Sequence, residues 1–310
     1  MSLTKVGRHD LQPGLERLND ECFCLSLDDE ALRHALESEL GTPGLYRLAQ
    51  ERCPYLFSSR PVFIADRQLV RMARIVAAIE AVVSMPAWCE QVLAGASDVT
   101  RHAPGQASGV FLGFDFHSRG DSLGLIEINT NAGGALLNAL LARAQRACCA
   151  EVEALMPSLA MAEKLERDIV AMFLDEWKRA GHSGPLRSIA IVDDRPESQY
   201  LYPEFVLFRK LFEKYGMTAV IAGPDEFELR DGRLWHGELA IDLVYNRLTD
   251  FALEQPEHST LRQAYLDDAL LMTPHPQAHA LYADKRNLAL LTDANELDAL
   301  GYPPISGRYC

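Results

Sequence analysis

No pair among the seven cysteines has the CxxC spacing of a zinc site. Cys22 and Cys24 form a CxC, Cys148 and Cys149 adjoin, and Cys53, Cys89 and Cys310 stand alone. An odd, scattered set of this kind is expected as reduced thiols in a cytoplasmic protein. No apolar run approaches the ~20 residues of a membrane span. The polar first residues carry no expected signal peptide. Positive charge is also scarce: 30 Lys and Arg stand against 44 Asp and Glu, a net charge of -14. Nucleic-acid binding needs a basic face, so that class is disfavoured. The sequence has no GxSxG, no Walker A loop and no GxGxxG after a strand, which removes the usual hydrolase, P-loop and dinucleotide fingerprints.

What remains is a 310-residue chain, 48% hydrophobic, long enough for two domains. Residues 28–50 read as helices broken at Gly41-Thr42-Pro43-Gly44, and 69–84 as a strongly apolar helix ended by Pro86. Residues 94–107 read as a loop. Two strand-like halves, 109–117 and 123–129, flank a turn-rich joint at 118–122, a hairpin signal. Helices are expected from 135 to 155 and from 159 to 180. From 187 the pattern becomes strand, amphipathic helix closed by Gly216, and strand. A small hairpin around Asp231-Gly232 and a third strand, LAIDLVYNR, follow. That is a parallel α/β unit, whose ligands sit beyond the carboxyl ends of the strands, here Asp193-Asp194 and Tyr245-Asn246-Arg247. A helix near 259–270, the strand LLMTP and an amphipathic helix at Asp284-Lys285-Arg286-Asn287 complete the pattern.

The strand GLIEINTNAGG carries a carboxylate and an amide at alternate positions. Glu127 and Asn129 therefore share one face, and Ile126 and Ile128 point to the other. Oxygen ligands at this spacing suit Mg²⁺. They equally suit a solvent-facing strand edge. Gly133-Gly134 lets backbone approach a ligand, and the following helix N-terminus favours an anion. Asp115 and His117 share a face of the preceding strand, and Asp115 reaches Glu127 if the hairpin pairs through its turn. Arg247 suits a substrate carboxylate or a structural pair with Asp250. Lys285 suits a phosphate or a solvated face. His275, His279 and Asp284 lack the further ligands a metal site needs.

Four short motifs, in order, resemble the eukaryotic-type glutathione synthetases and glutathionylspermidine synthase-like enzymes, the circularly permuted ATP-grasp ligases. IEINT at 126–130 is similar to their magnesium strand, and GFDFH, with Asp115, to the strand before it. VYNRLTD at 244–250 looks like their substrate-contacting Tyr-x-Arg segment, and ADKRNLALL at 283–291 like their phosphate-contacting Lys segment. The resemblance covers roughly 105–295. It implies an α/β fold: an α+β ATP-grasp-like core with an inserted Rossmann-like parallel substrate domain. The expected divisions are 1–182 (N-terminal helical region and core segment), 183–274 (substrate domain) and 275–310 (return to the core).

By the same resemblance, ATP and Mg²⁺ serve a carboxylate–amine ligase that phosphorylates a small-molecule carboxylate and joins it to an amine. Glu127 and Asn129 hold the metal, and Glu127 and Lys285 serve the nucleotide. Arg247 and Lys285 are the catalytic pair. Asp115, Thr130, Asn131, Ala132, Gly133, Glu197, Ser198, Gln199, Asn246, Arg247 and Asp250 form the substrate set. No nucleic acid and no membrane partner is expected, and a homodimer stays open. NAGG replaces the family's serine-rich loop and Phe114 an arginine, so glutathione is not the expected product. The family's later glycine-rich loop, second Lys and further acidic ligand have no counterpart in 286–310. The expectation is therefore the N-terminal portion of a ligase, or a catalytically incomplete relative that binds a small acidic metabolite or a partner protein.

Overall fold

A computed structural model describes residues 25–34, 36–37, 43–53, 56–57, 62–119, 122–147 and 158–302. The expected turn at 120–121, five of the cysteines and the tail after 302 lie outside them. The fold is mixed α/β with parallel and antiparallel sheets. It divides into two compact units, Met1–Ile75 with Leu137–Glu163, and Val76–Leu136 with Lys164–Cys310. No helix among the described residues is long and apolar enough to cross a membrane.

In the first unit, strand β1 (Leu25–Leu27) precedes helices α1 (Asp29–His34) and α2 (Leu45–Arg52). Its buried side chains include Leu32, Leu36, Leu45, Ala49 and Cys53. Helix α3 (Asp66–Val83) stops two residues before Pro86, which opens α4 (Pro86–Val92). The expected loop at 94–107 contains one helical turn, α5 (Asp98–Arg101), because the Ser97 hydroxyl accepts the Thr100 N–H and caps it.

Strands β2 (Gly113–Arg119) and β3 (Ser122–Asn129) form the expected hairpin. Asp115 pairs directly with Glu127, and Gly113 with Asn129. The register then shifts, Phe116 facing Leu125, so Ile126 is the extra residue of a bulge. This corrects one expectation: Ile128 is buried, but Ile126 is 55% exposed. Helix α6 (Ala135–Ala144) is also shorter than its sequence pattern. The Ala144 carbonyl accepts the Asp28 N–H, and β4 (Gln145–Ala147) pairs antiparallel with β1. A ladder therefore replaces the next helical turn.

After α7 (Leu159–Arg179) comes the parallel sheet that anchors the second unit. β5 (Ser188–Val192) is linked through α8 (Tyr202–Lys214) to β6 (Thr218–Ala222). Gly216, at φ 85°, ends that helix in the left-handed region. β7 (Phe227–Arg230), β8 (Arg233–His236) and β9 (Leu239–Ile241) make a small antiparallel sheet. β10 (Leu243–Asn246) then enters the parallel sheet, joined after α9 (Ser259–Leu266) by β11 (Leu271–Thr273), in the order β11-β10-β5-β6.

LAIDLVYNR is thus two strands of two sheets, split at Asp242. The Asp242 carboxylate accepts the Arg187 and Ser188 N–H groups and pairs with Arg233, which fixes the corner. β5, β10 and β11 are buried along their whole length, as expected of a sheet covered on both faces. One face packs the rings of Phe173, Phe208 and Tyr245 against Phe111; Val192, Val244, Leu261 and Tyr265 belong to the cluster on the other. Helices α10 (Lys285–Thr292) and α11 (Ala294–Ala299) close the described chain.

Candidate functional site

The hairpin brings Asp115, Glu127 and Asn129 together. Two carboxylates facing each other across strands repel. Asn129 relieves this by donating from Nδ2 to Glu127 Oε1 at 3.3 Å and to Asp115 Oδ2 at 3.5 Å. The Lys285 ammonium lies 3.2 Å from Glu127 Oε2. The Asn129 amide and then Lys285 hold the Glu127 carboxyl below its usual range. Lys285 is 80% exposed and Glu127 a third exposed, so the group meets solvent. Asp284 caps α10 through the Arg286 N–H at 2.9 Å, which sets Lys285 at the first helical position. Arg286 is bound to Asp284, which lowers the Asp284 carboxyl.

A cleft of about 440 Å³ lies here, walled by Glu127, Asn129, Thr130, Phe251, His279 and Lys285 among others. The donor set suits a hard cation: two carboxylates and an amide on one face. The amide presents Nδ2 to both carboxylates; a half-turn presents Oδ1 instead. No group of three His, Cys, Asp or Glu forms a metal-ligand set among the described residues.

Thr130 is buried, with its hydroxyl 3.2 Å from His279 Nδ1. The His279 ring stacks flat on Phe251, centroids 3.5 Å apart. Burial pushes His279 down to about 4, so it is neutral at pH 7. His275 is likewise pushed to about 4 by burial. Its Nε2 lies 3.1 Å from the Ala107 carbonyl and its Nδ1 accepts the Ala278 N–H, which makes it a cap.

The loop Asn131-Ala132-Gly133 is held by the chain itself. Arg247 is only 7% exposed, and its Nη1 donates to the Ala132 carbonyl at 3.0 Å and to the Tyr245 hydroxyl at 3.2 Å. The Ala132 N–H donates to the Phe111 carbonyl. The helix N-terminus expected to take an anion takes one from within. Glu204, 1% exposed, accepts the Gly134 N–H at 2.7 Å and the Leu136 N–H at 3.1 Å. A Cβ on Gly133 would lie 2.5 Å from Leu201 Cδ1, 3.0 Å from Arg247 Nη2 and 3.2 Å from Glu204 Oε2. Gly133 is therefore required for internal packing.

The carboxyl edge of the parallel sheet gathers the remaining residues. Asp250 does not pair with Arg247. Its Oδ2 lies 2.7 Å from His258 Nδ1, while His258 Nε2 lies 2.9 Å from Asp194 Oδ1. His258 is fully buried, and both ring nitrogens face carboxylates, an arrangement that favours the protonated ring. Burial opposes that charge, but Asp194 and Asp250 outweigh it and raise the His258 pKa. Burial also opposes ionised Asp250, yet the Gln255 and Glu254 N–H groups and His258 hold its carboxyl below the usual value. Neighbouring Asp193 is raised to about 6 by burial. Asn246 bridges the Pro274 carbonyl and the Leu248 N–H. Of the other expected substrate residues, Glu197 and Ser198 are exposed in a 3₁₀ turn, and the Gln199 side chain donates to the Asp194 carbonyl.

The sequence reading missed Glu204 and His258, and weighed His279 only as a metal ligand lacking companions. Glu204 had a signal, as an acid inside the apolar run PEFVLF. His258 had none, because one of its two partners, Asp194, lies on a loop far off in the chain. The sequence matches no protein-family model and no curated protein sequence.

Proposed function

We propose that this chain carries part of the site of an ATP- and Mg²⁺-dependent carboxylate–amine ligase of the glutathione synthetase-like ATP-grasp class. One observation carries the reading. Lys285, far along the chain from the hairpin, lies at hydrogen-bond distance from Glu127, in one cleft with Asn129, and Glu127 pairs across the hairpin with Asp115. These are residues of three of the four motifs that carry the resemblance. Mg²⁺, held by Glu127 and Asn129 with Asp115 nearby, would neutralise charge on phosphate oxygens. The Lys285 ammonium contacts phosphate and exchanges its Glu127 partner for it. Arg247 acts on the substrate through the loop it holds, Ala132-Gly133, and Lys285 is the exposed cation of the expected catalytic pair.

Isothermal titration of the chain with ATP and MgCl₂ tests this. Wild type binds, and Glu127→Ala weakens binding at least about tenfold, the scale of a lost charged contact. The second reading is a non-catalytic binder of a small acidic metabolite. It would be favoured by carboxylate binding without nucleotide and insensitive to Glu127→Ala. That reading has less support, because Arg247, its natural anchor, is buried on the chain's own carbonyl.

A further inference from the structure

The cleft beside Glu127 shares Phe251, His279 and Asp284 with a second cavity of about 570 Å³. The His279 ring therefore stands where the two spaces adjoin. One ring face is covered by Phe251, at an interplanar angle of 6°. Nδ1 is taken by the buried Thr130 hydroxyl. Nε2 has no hydrogen-bond partner among the described residues. Asp284 cannot readily serve it, since both its oxygens are bound by Arg286. A half-buried ring with one nitrogen engaged and the other open, walling a cleft that also holds an exposed Lys, is placed to meet a ligand.

We propose that His279 is a ligand-binding residue of this site: a neutral imidazole whose Nε2–H donates to a phosphoryl oxygen, in the tautomer selected when Thr130 donates to Nδ1. The proposal rests on the ligase reading and adds to it a contact that the motif resemblance does not assign. Two features favour an anion over a cation at Nε2. The ring is neutral near pH 7, because burial holds its pKa at about 4, so donation to an anion needs no proton uptake. Lys285 also walls the cleft, beside the carboxylates of Glu127 and Asp284, and is the cation there that a phosphoryl group would meet. Phe251 restrains the ring plane and Thr130 its rotation, so the donor is oriented before the ligand arrives.

The test is titration of the intact chain with Mg-ATP. His279→Phe keeps an aromatic ring on Phe251 and removes the donor; affinity should fall about tenfold, the scale of one hydrogen bond to a charged group. His279→Gln restores an N–H near the Nε2 position and should recover to within about threefold of wild type. Nitrogen-15 spectra of the wild-type histidines supply a readout that packing alone would not move. His279 should be an Nε2–H tautomer, with its Nε2 signal shifting on addition of Mg-ATP. Unchanged ATP affinity in His279→Phe overturns the proposal and leaves the ligase reading standing. So does an Nδ1–H tautomer that persists in the presence of ATP, which is decisive even if the Phe variant fails to fold. A wild-type chain that binds no Mg-ATP overturns the ligase reading and this proposal with it.

Discussion

The hairpin cleft and the carboxyl edge of the parallel sheet use nearly the same side chains to opposite ends. Each has several carboxylates, one long cation and an asparagine within a few residues of a strand. At the sheet edge, Arg247 is spent on Ala132 and Tyr245, His258 is shared by Asp194 and Asp250, and Asn246 ties Pro274 to Leu248. These groups are mostly buried. In the hairpin cleft Asp115 and Lys285 are exposed, and Asn129 mediates between two carboxylates that gain nothing from facing each other. Buried charge demands internal partners, whereas exposed like charges serve no folding purpose. The edge therefore reads as scaffold, and the cleft is where the proposed site lies.

The comparison breaks most readily at its buried end. Glu204→Ala leaves the Gly134 and Leu136 N–H groups without their carboxylate and removes the anion beside Arg247. It should cost about 3 kcal/mol, read as a lower urea midpoint. A near-neutral result would mean that water replaces the carboxylate and that the loop is not held from within.

His258→Asn should cost less, about 2 kcal/mol, because Asp194 is partly exposed and can be rehydrated. Its signature lies in pH. The His258 pKa is raised in the fold, so its contribution is full below the ordinary value of about 6.5 and is lost as pH rises through the folded value. Asp250 is lowered, so its contribution holds above about 3.9 and is lost as pH falls through the folded value. The difference in stability between wild type and His258→Asn, from urea melts, should thus shrink on the alkaline side. A difference independent of pH would mean that His258 is neutral and held by packing alone.

Much of this frame was legible in the sequence. Local signals survive folding when tertiary structure does not compete with them. The hairpin, the strand–helix–strand and the turns at Gly216 and Asp231-Gly232 are of that kind. The failures share a cause. Ile126 was turned outward by a bulge, Gln145 was drawn into a ladder with residues 25–27, and LAIDLVYNR was split by Asp242. Each outcome was decided by strand pairing or a tertiary contact and not by the local pattern. The site shows the same division. Glu127 and Asn129 sharing a face follows from strand geometry. Arg247 being turned inward follows from Tyr245, two residues before it, and from the Ala132 carbonyl, which no spacing could reveal.

The smallest expected effect on stability is the sharpest test of the cleft. Glu127→Gln loses the ion pair with Lys285 but relieves the facing Asp115 carboxylate, and the two changes oppose each other at an exposed position. Lys285→Ala removes one exposed partner. Both variants should melt within about 1 °C of wild type, since solvent-facing substitutions of this kind rarely move stability. Both should nevertheless weaken Mg-ATP binding on the proposed reading, in which these exposed residues serve the ligand and contribute little to the fold. A clear drop in melting temperature for either variant would make the hairpin carboxylates and Lys285 structural. The cleft would then be an edge of the same scaffold as Arg247 and His258, and the distinction between the two regions would collapse.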